Sequence, residues 1–185
     1  MIIAVMGSDS RATAIGELLA AGGHQVWFAD AADPAQAAHA AAHSNARCQI
    51  PYGAASIADV VIFATAREQA DDYIRAIGRL APQTIVVDAM EGGESGERSG
   101  AETLARKLDS HRVVRALVVL PQPGANVALS SDDPDAMTAV EEMFRSSGCI
   151  TTDRGPLVNA KEIEPPSGST TGEVPFEPLR RPVSH

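Results

Sequence analysis

The stretch Ile2-Ile3-Ala4-Val5-Met6-Gly7-Ser8-Asp9-Ser10-Arg11-Ala12 decides the fold. It begins with an unbroken apolar run, the pattern of a strand buried on both faces. Gly7 stops the run, and Ser8-Asp9-Ser10 offers the side-chain oxygens that cap a helix N-terminus. Ala14, Ile15, Leu18 and Leu19 then recur at helical spacing, and Gly22-Gly23 ends the helix as a left-handed C-terminal cap would. A second short strand from Gln25 to Ala29 carries Val26, Trp27 and Phe28 and finishes at Asp30. Strand, helix and strand within roughly thirty residues make a βαβ unit.

The alternation continues along the chain. Asp33-Pro34 opens an alanine-rich helix running to Ser44, and the run from Asp59 to Thr65 (DVVIFAT) is another buried strand. An amphipathic helix is predicted from Arg67 to Leu80, a strand from Thr84 to Asp88, and a loop rich in Gly and Glu from Met90 to Gly100. A helix from Ala101 to Leu108 and a strand from Arg112 to Leu120 follow. The helix from Asp133 to Ser147 places Met137, Val140 and Phe144 on one stripe, and Gly148 caps it before a last strand near Cys149 to Thr152. Repeated βα units imply an α/β fold: a doubly wound, mainly parallel sheet in three α/β/α layers, the Rossmann type. The domain is expected over 1–163. From Glu164 to His185 the chain is rich in proline and lacks apolar periodicity, which predicts a flexible tail.

Composition narrows the function classes. The 185 residues carry 15 Lys plus Arg against 24 Asp plus Glu, a net charge of −9, which argues against nucleic-acid binding because phosphate neutralisation needs a basic surface. The apolar run from Val113 to Leu120 is broken by Arg115 and is too short to span a bilayer, so no membrane partner is expected. The N-terminus opens directly into the first strand without a basic region or cleavage site, and only two cysteines, Cys48 and Cys149, are present; both point to a cytoplasmic protein.

In a doubly wound sheet, ligands bind at the carboxyl ends of the strands where the strand order reverses. A dinucleotide site in the first turn asks for G-x-G-x-x-G or A: a glycine for the tight turn, one for close approach of pyrophosphate, and a small residue for helix packing. Here those places hold Gly7, Asp9 and Ala12. Gly7 suits its place, and Ala12 is small enough. Asp9 instead puts a carboxylate where pyrophosphate would rest. It can cap the helix amides and take up the helix dipole itself, weakening or abolishing dinucleotide binding. A milder arrangement turns that carboxylate away and lets Arg11 face the phosphates.

The segments IIAVMG, LLAAGGHQV, ADVVIFAT and IVVDA, then SGAETLARKL with RVVRAL, and the spacing from SSDDPDAM through GCITTDRGPL to NAKEIEP together resemble the NADP oxidoreductases that depend on the deazaflavin coenzyme F420. The resemblance covers roughly residues 1–165. It implies an NAD(P)-dependent oxidoreductase that transfers hydride between a bound nicotinamide and a deazaflavin or flavin-like acceptor. Such a reaction needs two positioned rings more than a protein acid or base, and no catalytic side chain is assigned. The cofactor-binding candidates under this resemblance are Gly7, Ser8, Asp9, Ser10, Arg11 and Ala12 in the turn, Asp30 at the adenine ribose, and Ala64 and Thr65 on the nicotinamide side. The family forms dimers through its C-terminal part, so a homodimer is an open expectation where this chain carries its proline-rich tail.

Departures from the family cluster near the ligand. Asp30-Ala31 stands where the family has a Ser-Arg or Thr-Arg pair for the 2′-phosphate of NADP, and an acidic residue there favours NAD. Asp88-Ala89-Met90-Glu91 replaces an Asn-Pro, and Leu117-Val118-Val119 replaces an aromatic-Asn-Thr. Glu91, Glu94 and Glu97 make the loop a poor host for an anionic deazaflavin. An alternative function follows: a non-catalytic or repurposed domain, without a dinucleotide, serving small-ligand or protein binding.

The remaining candidates read as structure. His39 and His43 share one helix face, but Ala40 stands where a catalytic zinc helix would have Glu, so no metal site is expected. His24 follows the Gly22-Gly23 cap and reads as a partner of that helix's dipole. Arg47 beside Cys48 is the one basic neighbour that would activate a thiol. Asp71-Asp72 and Glu141-Glu142 read as solvated helix faces, and Pro121-Gln122-Pro123-Gly124 as a rigid turn.

Overall fold

A computed structural model describes residues 1–91, 96–118 and 121–164. Among them an eight-stranded sheet runs in the order β3-β2-β1-β4-β5-β6-β7-β8. The strands are β1 (Ile2–Met6), β2 (Gln25–Ala29), β3 (Arg47–Cys48), β4 (Val60–Phe63), β5 (Ile85–Asp88), β6 (Val113–Val118), β7 (Asn126–Ser131) and β8 (Ile150–Asp153). All neighbours pair in parallel except β6 with β7. Chain order moves outward from β1 on one side through β2 and β3, then returns to the other side at β4. The reversal between β1 and β4 is the topological switch point of a doubly wound sheet.

Helices α1 (Ser10–Ala21), α2 (Pro34–His43) and α6 (Pro134–Ser146) cover one face, where Ile15, Leu19, Ala37, Ala40, Val140 and Phe144 meet the sheet. Helices α3 (Pro51–Ile57), α4 (Ala70–Ile77) and α5 (Gly100–Leu108) cover the other, with Tyr73, Ile77 and Leu104 against Val61, Phe63 and Val86. The four residues of β4 are buried throughout, as the unbroken apolar run predicts. The small-residue composition has a local cause. A Cβ on Gly16 would lie 2.2 Å from the Phe28 ring, so α1 rests almost directly on β2.

Several boundaries differ from the sequence reading. The helix expected from Arg67 to Leu80 is a 3-10 turn (Arg67–Gln69) leading into α4, which stops at Ile77 because Gly78 takes a positive φ of 68°. Elements β3, α3, β7 and a 3-10 segment (Leu157–Ile163) were not anticipated. Strand β7 follows the Pro121–Gly124 turn and runs back antiparallel to β6, from Val127 opposite Val118 to Ser131 opposite Val114. The last two strands therefore point their carboxyl ends away from the switch point. The tail predicted for 164–185 lies, apart from Glu164, outside the described residues, as do Glu94, Val119 and Leu120.

Candidate functional site

The first turn is built around Gly7, whose φ of +120° is a conformation L side chains rarely adopt. A Cβ there would lie 2.7 Å from the Ala64 carbonyl oxygen, so the close approach of the turn to the end of β4 requires glycine. Asp9 is extended and is the N-cap of α1. Its Oδ1 accepts from the Ala12 amide at 2.8 Å and its carbonyl from the Thr13 amide at 2.9 Å. The cap leaves the Ser10 and Arg11 amides facing outward, as the first amides of a helix do. An anion seated on those amides shares the place with the Asp9 carboxylate.

At the end of β2, Asp30 is held by its own chain. Its Oδ2 accepts from the Ser8 hydroxyl at 2.6 Å, and Oδ1 accepts from the Ala32 and Asp33 amides at 2.8 and 2.9 Å. The nearby Tyr73 phenol lowers the carboxyl further. Burial alone would raise the Asp30 carboxyl, but these donors outweigh it and hold the group below its ordinary value. Burial and the Asp30 charge in turn push the Tyr73 phenol strongly upward, so it stays protonated as a donor. Three donors occupy three of the roughly four lone-pair sites of a carboxylate. A ribose hydroxyl at Asp30 takes the remaining site or exchanges with one of them.

On the other side of the switch point, Ala64 and Thr65 follow β4 and are both buried, with the Thr65 hydroxyl donating to Gln69 Oε1. Arg11 does not face the first-turn amides. Its guanidinium crosses to the carboxyl ends of the next strands, where Nη1 donates to the Ala89 carbonyl and Nη2 to the Val118 carbonyl at 3.5 Å. Nε lies 3.6 Å from Glu91, and the side chain is only 16% exposed. Burial lowers its pKa, opposed chiefly by the Glu91 charge.

The structure also assembles a charge cluster at the end of β5. Asp88 and Arg115 are fully buried register partners, with Arg115 Nη1 3.1 Å from Asp88 Oδ1 and 2.9 Å from the Met90 carbonyl. Arg67 Nη2 lies 3.1 Å from Asp88 Oδ2. Arg115 Nε and Nη2 have no hydrogen-bond partner among the described residues. Glu164 Oε1 accepts from the Gly100 amide at 2.8 Å, at the start of α5. Burial raises the Glu164 carboxyl, partly offset by the Arg115 and Arg67 charges. The signal was present in the sequence as an arginine inside the apolar run VVRALVVL and an aspartate ending IVVD.

The secondary candidates settle into structural roles. The rings of His39 and His43 lie 4.2 Å apart and tilted by 54° on an exposed helix face, and no group of metal-binding side chains occurs among the described residues. His24 serves a different helix from the one expected: Nε2 meets the Met143 carbonyl at 3.3 Å and the Ser146 hydroxyl at 3.0 Å, at the end of α6. Arg47 stacks over Trp27 at 5.0 Å, and burial raises the thiol pKa of both Cys48 and Cys149. A cavity of about 430 Å³ lies among Asp132, Met137, Glu141 and Asp153. Its wall residue Ser131 pairs with Val114 near the start of β6, which places the cavity at the opposite end of the sheet from the switch point.

Residues 2–92 match the family described as NADP oxidoreductase, coenzyme F420-dependent. The match runs from β1 to just beyond β5, the part of the chain that builds the switch point. No curated protein sequence matches the chain. Among solved structures, a hypothetical protein from Sinorhizobium meliloti superposes with a TM-score of 0.76 at 21% identity, covering 89% of each chain. A protein from Arthrobacter sp. FB24, provisionally named an F420-dependent NADP-reductase, gives 0.73 at 22% identity over 87% of each chain. The 3-hydroxyisobutyrate dehydrogenase of Mycobacterium tuberculosis gives 0.70 at 18% identity, over 86% of this chain and 56% of that one. These likenesses show the fold, a doubly wound α/β domain. No helix among the described residues is long and apolar enough to cross a membrane.

The site's own features test the fit of a dinucleotide. Gly7, the Ser10 and Arg11 amides and the Asp30 end of β2 fit the adenosine diphosphate half in shape, with Asp9 opposing it in charge. The nicotinamide half is crossed by Arg11.

Proposed function

We propose that this chain is a dinucleotide-binding oxidoreductase that takes a nicotinamide cofactor, NAD in preference to NADP, and exchanges hydride with a deazaflavin or flavin-like acceptor. Support comes from the F420-dependent family match over the switch-point half of the chain, and the carrying observation is Gly7. That residue takes a conformation reserved for glycine and leaves no room for a Cβ between the turn and Ala64. When bound, a nicotinamide supplies the hydride-transferring carbon. The residues of this chain position it: the amides of Ser10 and Arg11 receive the pyrophosphate, and Ala64 and Thr65 border the ring. Asp30, held ionised by its three donors, repels a 2′-phosphate and accommodates a ribose hydroxyl beside or in place of Ser8. No protein acid or base is required in direct hydride transfer between two stacked rings.

The testing experiment is thermal shift and titration calorimetry with NAD, NADH, NADP and NADPH on the full chain. Ligand at about a hundred times its Kd stabilises a protein by about 2.7 kcal/mol, several degrees of midpoint for a chain of this size. Stabilisation by NAD and NADH that exceeds that by the phosphorylated forms is the expected result. No shift with any of the four at millimolar concentration would overturn the proposal.

A second reading has its own observation. The Asp9 carboxylate, fixed on the Ala12 amide, supplies internally the negative charge that a pyrophosphate would bring. On that reading the domain is repurposed and binds another small ligand or a protein.

A further inference from the structure

We propose that Arg11 is a specificity-determining residue that closes the nicotinamide half of the site, so that the switch point selects ligands of ADP-ribose length over full dinucleotides. The inference rests on the adenosine diphosphate part of the preceding reading, and on it NAD enters the site only when the Arg11 side chain is displaced.

Arg11 sits in the first turn of α1, immediately before the small residue Ala12 that packs the helix against the sheet. A long cationic side chain at such a place could extend into solvent. Here it instead spans from the end of β1 across to the carbonyls of Ala89 and Val118, which follow or end β5 and β6. Ala89 is itself fixed, its amide donating to the Phe63 carbonyl at 2.9 Å. In a doubly wound domain the two mononucleotide halves of a ligand lie on either side of the switch point. The adenosine half belongs to β1, α1 and β2; the second half belongs to β4, β5 and β6. Arg11 is rooted in the first half and spends its donors in the second.

The contacts also show that the chain is built to hold it there. Two backbone carbonyls accept from the guanidinium, and Glu91, 69% exposed, stands 3.6 Å from Nε as its counter-charge. A planar cation with several donors in a fixed fork bridges two separated carbonyls from two different nitrogens, whereas a lysine has a single nitrogen to place. A ligand that ends at the pyrophosphate and its ribose leaves these contacts intact. A full dinucleotide must displace the side chain from both carbonyls. Its apparent affinity falls by the fraction of time the guanidinium is away, so a side chain absent about one time in ten imposes about a tenfold weakening.

The test is calorimetry on the full chain with ADP-ribose, NAD and nicotinamide mononucleotide, comparing the native protein with Arg11→Ala and Glu91→Gln. The native chain should bind ADP-ribose at least tenfold more tightly than NAD and show no heat with nicotinamide mononucleotide. Arg11→Ala should bring NAD to within threefold of ADP-ribose, or beyond it, while ADP-ribose itself changes less than threefold. Glu91→Gln, at an exposed position, unpins Nε without touching the core and should move the ratio part of the way. Should Arg11→Ala unfold, Arg11→Lys keeps the charge but loses the fork of two nitrogens that reaches both carbonyls, and it should shift the ratio in the same direction. If both ligands bind and the ratio stays within twofold in every variant, Arg11 does not set ligand length and this inference falls alone. If neither ligand binds any variant at millimolar concentration, the underlying reading of the site falls and takes this inference with it.

Discussion

Replacing Asp9 isolates the feature that most opposes an anionic ligand. The carboxylate is fixed by the Ala12 amide at 2.8 Å, beside the outward-facing amides of Ser10 and Arg11. An anion on those amides would lie about 5 Å from it, and one unit-charge pair at that separation costs about 3 kcal/mol at an effective dielectric of 20. Asp9 is exposed, so counterions and water reduce this to about 1–2 kcal/mol at physiological salt, or about 5- to 30-fold in Kd. Two variants separate charge from volume. Asp9→Asn keeps the helix cap, since Asn caps as well as Asp, and removes only the charge; Asp9→Gly removes both and loses a few tenths of a kcal/mol in capping. Calorimetry with ADP-ribose and NAD at about 0.05 M and about 0.5 M salt should show both variants binding 5- to 30-fold more tightly than the native chain at low salt. The advantage should shrink at high salt. An additional gain of Gly over Asn measures the volume effect. If both variants stay within twofold of the native protein at low salt, the carboxylate is not the obstruction.

Other outcomes follow from the same geometry. Asp88→Asn leaves Arg115 buried beside a neutral partner and should cost about 3–5 kcal/mol in urea unfolding, with part of the loss recovered when Arg115→Met is added. Asp30 is held below its ordinary pKa, so its stabilisation is present above the unfolded value and is lost as pH falls through the folded one; Asp30→Asn should flatten the acid limb of stability against pH. The paired change Asp30→Ser with Ala31→Arg removes a charge that repels a 2′-phosphate and adds one that attracts it. It should reverse the NAD over NADP preference by about tenfold or more in calorimetry, with about 1–2 kcal/mol of stability lost from the Ser8 and amide hydrogen bonds.

The parallel sheet was legible because β1, β4 and β5 are apolar runs too short for helices and bounded by turn residues. The Gly22-Gly23 stop was also legible; Gly23 takes a φ of +86°. Strand β7 was hidden because Asn126 and Ser130-Ser131 make its ends read as loop, and only pairing with β6 makes them strand. Helix α3 was hidden by its length and by Pro51, which is tolerated at a first helical position but reads in isolation as a break. At the site, the Asp9 cap could be read from three neighbouring residues. The course of Arg11 could not: its acceptors are 78 and 107 residues away, and which strands lie within reach depends on the strand order. The same holds for His24, whose partner helix ends more than a hundred residues later. The Asp30 contacts mix the two cases, with amides two and three residues on and the Ser8 hydroxyl 22 residues back.

The pairing of Asp88 with Arg115 also works as an address. The two are direct neighbours across β5 and β6, and both project into the layer beneath α4 and α5. Side chains along a strand alternate between faces, so a one-residue slip of β6 against β5 would carry Arg115 to the opposite layer, among Val114, Ala116 and Leu129. Two valine-rich strands offer few apolar distinctions between one alignment and the next. A charge that finds its carboxylate in only one of them makes the misaligned sheets higher in free energy, and it does so at the strand ends that carry Ala89 and Val118 to Arg11.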